Sequence, residues 1–334
     1  MALVFNRFGA TSRHRSLASA ARRTAWPAVR LIRETIASPH PPQRAILRWA
    51  AFAAACPFTD TLSATVDGIR YFVSTHDQAM GRVVFMGRVP DGDLLDDYLT
   101  LIGNELGRPA VKGLTCVEVG ANIGTTTLPI VLRNGAQLCI AIEPAPTNLT
   151  LLRANLAANG VGQDLVRVLP VAASDSPGAV EFELSFSNSG DHRVRRHDRP
   201  VANEPELCRE RERPVITVPA ARLDDVLAEQ NVELSDVGLV WIDTQGHEGH
   251  VLAGAPRLLD SAAPIIMEYW PYGLRRAAGL ELLHQLMRDS GRRIIDLRDT
   301  LRCGSLQVLS LMELDALAER YPNHQYTDLA LLDA

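Results

Sequence analysis

The sequence predicts an α/β protein, with a mostly parallel sheet whose strands are joined by crossover helices and a helical N-terminal extension before it. Three observations predict this. Between residues 115 and 297, short apolar runs alternate with helix-length amphipathic segments. Glycine turns follow two of those runs, at Gly120 and Gly246. Four runs carry a carboxylate at or next to their C-terminal end: Glu118, Glu143, Asp243 and Glu268.

The elements follow in chain order. Pro39-His-Pro-Pro42 interrupts one helical segment and Pro57 ends another, so a basic helical extension is expected over residues 1–60. Residues 61–112 read as a cap or edge segment. Within it, Thr65 to Ser74 forms a strand pair around Asp67-Gly68, and Leu94 to Gly107 a helix with Leu94, Leu95, Tyr98, Leu99 and Ile102 on one face. The main domain is expected over residues 113–334. Its order is strand 115–119, helix 124–134, strand 138–142, helix 147–159, strand 165–171, a polar region, helix 221–229, strand 237–243, helix 248–259 and strand 264–268. Helix 280–290 follows, then strand 292–297 and a last apolar strand, Asp328 to Leu332, expected to make a hairpin-like edge.

Composition bounds the function class. A chain of 334 residues, 46% hydrophobic and 22% charged, buries a large core in one α/β domain with additions. The cysteines at 56, 116, 139, 208 and 303 are odd in number and scattered, which suggests neither a disulfide framework nor a Cys-x-x-Cys metal site and suits a reducing cytoplasm. No apolar run approaches the roughly 20 residues of a membrane span. Residues 1–58 carry nine arginines and one acid, Glu34, a net of +8, leaving −13 for the remainder. The opening Met1 to Arg33 fits a transit peptide, a surface-seeking amphipathic helix or a basic tail. Lys112 is the single lysine among 34 basic residues, a bias of GC-rich bacterial genomes that disfavours the transit peptide. The preferred reading is an extension packed on the main domain or a partner, with peripheral membrane contact second. Nucleic acid is not expected as a partner, because the arginines lack an aromatic platform and the main domain is acidic.

Cys116-Val-Glu-Val-Gly-Ala-Asn-Ile-Gly124 followed by Ile140-Ala-Ile-Glu143-Pro reads as a βαβ crossover. Gly120 and Gly124 permit close backbone approach, and Glu143 stands about 20 residues on, where a carboxylate can accept both ribose hydroxyls. Glu118 discriminates among adenosine cofactors. A dinucleotide would set its pyrophosphate on this turn, where a carboxylate repels it. S-adenosylmethionine brings an ammonium and a sulfonium instead, and Gly-Ala-Asn-Ile-Gly also departs from G-x-G-x-x-G. Asp243, at the end of Val237-Gly-Leu-Val-Trp-Ile-Asp, reaches the same sheet edge and can meet the methionine ammonium or an acceptor hydroxyl. Each acid alone is more commonly a helix cap or ion-pair partner; four on one edge require a cation.

These residues resemble the FkbM methyltransferase family. The resemblance lies in Glu118-Val-Gly-Ala-Asn122-Ile-Gly124, Glu143-Pro-Ala-Pro-Thr-Asn148 with Asn155 and Asn159, Ala172-Ala-Ser-Asp175, Arg222-Leu-Asp224-Asp225, Ile242-Asp243-Thr-Gln245-Gly246-His-Glu248, Leu252-Ala-Gly254-Ala255 and Ile266-Met-Glu268. It spans residues 113–334 and departs at Gln245, where the family usually has glutamate. It implies a class I methyltransferase fold, a Rossmann-like doubly wound sheet, mostly parallel with an antiparallel last strand. It also implies S-adenosyl-L-methionine as cofactor, held at Glu118, Gly120, Ala121, Asn122, Gly124, Glu143, Pro144, Ala173, Asp175 and Asp243. The activity implied is O-methylation of a small-molecule hydroxyl on a sugar, polyketide or other metabolite.

Methyl transfer to an alcohol gains from a positioned base. His247, four residues beyond Asp243, ranks first, Asp243 is the carboxylate alternative, and His192 in Asn188-Ser-Gly-Asp-His-Arg193 is next. An exposed loop position is the ordinary alternative for either histidine. The insertion Phe186 to Arg213 reads as a solvated loop, or as a lid in which Arg193, Arg195 and Arg196 fork onto an anionic acceptor. Asp243, Glu268, Asp191 and His192 offer ligands for Mg²⁺ without tight spacing, so metal-independent transfer is expected. Two other classes stay open: an NAD-dependent oxidoreductase, disfavoured by Glu118, and a non-catalytic adenosine-binding protein, to which Gln245 points.

Overall fold

A computed structural model describes residues 38–90, 92–195 and 206–333. The basic opening Met1 to Arg33 and the proposed lid residue Arg196 lie outside the described residues. The helix Pro42–Ala55 begins and ends at the two predicted proline breaks. An antiparallel hairpin follows, β1 (Thr61–Val66) and β2 (Ile69–Ser74), turning at Asp67-Gly68, where both residues have positive φ. The helix Gly92–Leu106 buries Leu95, Tyr98, Leu99 and Ile102, as its periodicity requires.

The main sheet contains β3 (Thr115–Val119), β4 (Leu138–Ile142), β5 (Val166–Leu169), and later β10 (Val237–Ile242), β11 (Ile265–Tyr269), β12 (Arg293–Asp296), β13 (Val308–Leu309) and β14 (Thr327–Leu332). Its order is β13-β12-β14-β11-β10-β3-β4-β5. Strands β11, β10, β3, β4 and β5 pair in parallel, and β14 is antiparallel to both β11 and β12. This is the mostly parallel, doubly wound class I arrangement with an inverted last strand. The expected hairpin edge is corrected: β14 is inserted inside the sheet, and β12 and β13 form the rim. All six residues of β14 are buried, so both of its faces need cover.

Strand pleating sorts the core into two layers. Cys116, Cys139, Ala141, Leu239 and Trp241 face one cluster, with Tyr98, Leu128, Leu152 and the hairpin residues Tyr71 and Val73. Val117, Val119, Ile140, Ile142, Val240 and Ile242 face the other, with Leu223, Leu252, Leu283 and Leu317 from later helices. The helix expected over 248–259 divides into Glu248–Ala253 and Pro256–Leu259. Gly254 lies at the break, where a Cβ would stand 2.0 Å from the Ser174 carbonyl oxygen.

The polar region after β5 is not a simple loop. A second sheet, ordered β6-β9-β7-β8, forms from β6 (Ala172–Ala173), β7 (Gly178–Glu183), β8 (Arg193–Val194) and β9 (Val215–Ala221). Phe182, Val194 and Val218 form its small core with Ala145 and Ala172. The lid reading is corrected for two of its arginines. Arg193 and Arg213 are buried and pair with Glu183 and Asp191, and Arg195 donates to Glu183 and to the Glu210 carbonyl. Their forks stitch β7, β8 and the loop before β9.

Asn155 and Asn159, on the helix Pro146–Ala158 and its C-cap, act as an amide clamp. Asn155 accepts from the Phe72 N–H and donates to the Phe72 and Ile123 carbonyls at 3.2 and 2.8 Å. Asn159 accepts from the Arg70 N–H and donates to its carbonyl, at 2.9 and 2.7 Å. Two side chains thereby replace a neighbouring strand beside β2. Asn155→Ala orphans one buried and two part-buried backbone groups, and the urea unfolding free energy is expected to fall by about 2 kcal/mol.

Candidate active site

The C-terminal ends of β3, β4 and β10 meet at one pocket. Gly120 and Ala121 donate to the Ile142 carbonyl at 2.9 and 3.0 Å, and Asp243 donates its N–H to the Val119 carbonyl at 2.9 Å. Gly120 has φ +94°, and a Cβ there would stand 1.8 Å from the Asp243 carbonyl oxygen. Asn122 (φ +49°) and Gly124 (φ +88°) complete a left-handed turn, so the following helix is only Thr127–Leu132 rather than the expected 124–134. Glu118, Gly120, Ala121, Asn122, Glu143, Pro144, Ala173, His192, Asp243 and His247 all line this pocket. Gly124 and Asp175 do not. At Gly124 a Cβ would stand 2.8 Å from Leu152 Cδ1, and Asp175 Oδ2 lies 2.8 Å from His250 Nδ1.

Three carboxylates face the pocket, and no lysine or arginine stands among the described residues that line it. Glu118 is buried beneath the turn and accepts from the Thr127 hydroxyl. Burial pushes its carboxyl up to about 8, the Thr127 bond opposes this, and the Asp243 and Glu143 charges add to the rise. Glu143 accepts from the Asn122 and Ala145 N–H groups at 2.9 and 2.8 Å. Burial nevertheless raises it to about 7. The fourth acid, Glu268, is not in the lining, but Gln245 ties it in: the Gln245 amide donates to Asp243 Oδ1 at 2.8 Å and to Glu268 Oε2 at 2.9 Å.

Behind Asp243, the fully buried Glu248 pins the turn. Its Oε1 accepts from the Thr244 N–H and hydroxyl, both at 2.9 Å, and from the Gly246 N–H at 3.2 Å. His247 is buried on this turn, with Nε2 3.0 Å from Ser174 Oγ and its ring stacked on His250 at 4.6 Å. His192 comes from the second sheet. Its Nδ1 accepts the Ser185 N–H at 2.9 Å, so the neutral ring carries its proton on Nε2 and presents a donor. Burial lowers it to about 4, keeping it neutral. The Mg²⁺ alternative loses two ligands, since Asp191 is taken by Arg193 and Arg213 and His192 Nδ1 by Ser185.

Sequence reasoning missed Met80, Pro90, Thr125, Phe182, Ser189 and Trp241 in the lining. Ser189 donates to Asp77 and to Asn122 Oδ1 at 3.3 Å, joining the second sheet to the turn. The alternation Val180-Glu-Phe-Glu183 and the β-branched run Val215-Ile-Thr-Val218 were the available strand signals. Asp224 of the family motif is structural, accepting from the Arg257 and Leu258 N–H groups at 2.8 and 3.1 Å.

Residues 118–294 match the model of the methyltransferase FkbM domain. The chain belongs to the FkbM methyltransferase family. It is 31% identical over 160 residues to the 2-O-methyltransferase NoeI of Sinorhizobium fredii, a match covering 46% of this chain and 62% of that relative. It is also similar to the solved methyltransferase FkbM of Methylobacillus flagellatus, at 14% identity and TM-score 0.39 over 77% of this chain and 66% of that one. A further similarity is to a putative S-adenosylmethionine-dependent methyltransferase of Streptococcus mutans, at 10% identity and TM-score 0.41 over 82% and 56%.

The raised carboxyls have a thermodynamic sign. In the unfolded chain Glu118 and Glu143 ionise near 4.5, whereas folded they hold their protons to about 8 and 7. The folded state therefore binds more protons between those limits, and these groups make stability fall as pH rises through that window. Glu118→Gln removes the larger share. Its unfolding free energy is expected to gain on the native chain, by on the order of 2 kcal/mol between pH 5 and pH 8.5, in denaturant titrations without ligand.

Proposed function

We propose that the protein transfers the methyl group of S-adenosyl-L-methionine to a hydroxyl of a small-molecule acceptor. The observation that carries this is the acidic pocket: Glu118, Glu143 and Asp243 around a glycine turn, with no cationic side chain among its described lining residues. A cofactor bearing a sulfonium and an ammonium neutralises these carboxylates; a pyrophosphate would add to the repulsion. The turn residues Gly120, Ala121 and Asn122 stand in the pocket wall beside these acids, where such a group can meet them.

In this reading Glu143 would accept the ribose hydroxyls, Gly120, Ala121, Asn122, Pro144 and Ala173 would help to hold the cofactor, and Glu118 and Asp243 would meet its cationic methionine portion. The bound group supplies an electrophilic methyl; the chain aligns the hydroxyl with it and excludes water. Trp241, Phe182 and Met80 provide the apolar wall. His192 Nε2–H donates to the acceptor and orients it. Asp243, half-exposed and held by Gln245, receives the hydroxyl proton in preference to His247, which is buried and engaged with Ser174. The similarity to a 2-O-methyltransferase supports a hydroxyl oxygen as the atom methylated.

Calorimetric titration with S-adenosylhomocysteine and NAD⁺ tests the cofactor. Micromolar S-adenosylhomocysteine binding that is lost in Glu143→Ala is expected, and binding of NAD⁺ alone would overturn the reading. S-adenosylmethionine affinity is also expected to rise with pH up to about 8, with proton release, because the cation binds the ionised acids. For the base, Asp243→Asn should reduce tritiated methyl transfer to a panel of saccharides by at least ~100-fold at saturating S-adenosylmethionine, a loss beyond any it causes in cofactor affinity. Retained turnover would assign the proton to His247.

A further inference from the structure

The helix Pro42–Ala55 presents two faces. Ala45 and Phe52 are buried, Phe52 packing on Phe85 at 5.5 Å between ring centres, and Arg48 Nε donates to the Phe85 carbonyl at 2.8 Å. The opposite face is apolar beyond Gln43 in the first turn and is uncovered among the described residues. Ile46 and Leu47 are 47% and 68% exposed, and Ala50, Ala53 and Ala54 are exposed beside them. At 3.6 residues per turn these five fall within about 120° of arc. Phe58, in the turn just past the helix, is 89% exposed.

Charge selects the occupant. No acid occurs from Thr35 to Thr59, and residues 1–58 carry +8 against −13 for the remainder. An apolar stripe at the end of a cationic segment, on a body of opposite sign, matches an anionic bilayer surface, which attracts the segment and repels the body. A protein partner with an ordinary mixed surface would not require that separation.

We propose that Ile46, Leu47, Ala50, Ala54 and Phe58 insert into the interface of an anionic membrane, docking the protein peripherally through this helix. The placement serves the pocket. The buried side of the helix packs on Met80–Phe85, whose first residue, Met80, lines the active-site cavity together with Pro90. Docking sets that side of the cavity one helix away from the lipid surface, suited to an acceptor presented at the membrane.

The full chain should be sedimented with phosphatidylcholine vesicles, with and without one-third phosphatidylglycerol, alongside Leu47→Asp and Phe58→Asp. The native chain is expected to partition onto the anionic vesicles alone. Each substitution should lower that partition about tenfold with the thermal unfolding midpoint unchanged. Three results would overturn the proposal: no partition onto anionic vesicles, equal partition of native and substituted chains, which is adsorption of the basic segment by charge only, or tighter retention on duplex RNA that neither substitution alters.

Discussion

The contact between Gly120 and the main chain of Asp243 is the constraint on which the rest of the site depends. Two parallel strands end side by side, and their following turns approach more closely than any side chain allows. That approach brings the β3 and β10 ends into one wall and puts Glu118, Glu143 and Asp243 around a common space. Each neighbouring motif then secures part of it. Glu248 holds the turn after Asp243, Gln245 holds the Asp243 carboxylate, and Asn122 offers its N–H to Glu143. The acids are kept close because burial makes Glu118 and Glu143 hold their protons towards neutral pH, and because fixed hydroxyl, backbone and amide donors face the three side chains.

The second sheet closes the pocket by a different means. Its apolar core is small, and its cohesion comes instead from buried ion pairs among Arg193, Arg213, Glu183 and Asp191, with Arg193 also lying over the Trp270 ring at 5.0 Å. Desolvating such charges offsets much of their attraction, so the network contributes specificity of geometry more than net stability. It fixes the direction in which β8 leaves the sheet, and with it the position of His192.

The main sheet was legible because buried parallel strands are written as continuous apolar runs and their carboxylates fall at the ends. Residues 115–119 and 138–142 were bounded correctly from that pattern alone. The place of β14 was not legible, since a six-residue buried strand has the same signature at a rim as inside a sheet. The second sheet escaped because charges that pair across strands look, in sequence, like a solvated loop. Roles within the motifs were equally hidden: Asn155 and Asp224 sit in the family pattern yet bond only to backbone, and Gly124 and Asp175 support the pocket from outside its wall. Spacing locates a residue; the partner its side chain finds depends on segments far away in the chain.

The amide clamp on β2 carries a chemical clock. Asn159 is followed by Gly160, which has φ +68°, and a glycine on that side leaves the backbone nitrogen open to attack on the side-chain amide. Ring closure there requires the side-chain amide to leave its hydrogen bonds to Arg70 and to the Asn155 carbonyl, and the Gly160 N–H to leave the Ala157 carbonyl. The folded hairpin thus protects Asn159 from ageing, and any loosening of the hairpin exposes it. Hydrolysis would leave a carboxylate where a donor stood, facing the carbonyl oxygens of Arg70 and Asn155. The reaction would be irreversible and would fall on protein that had spent longest with its hairpin detached.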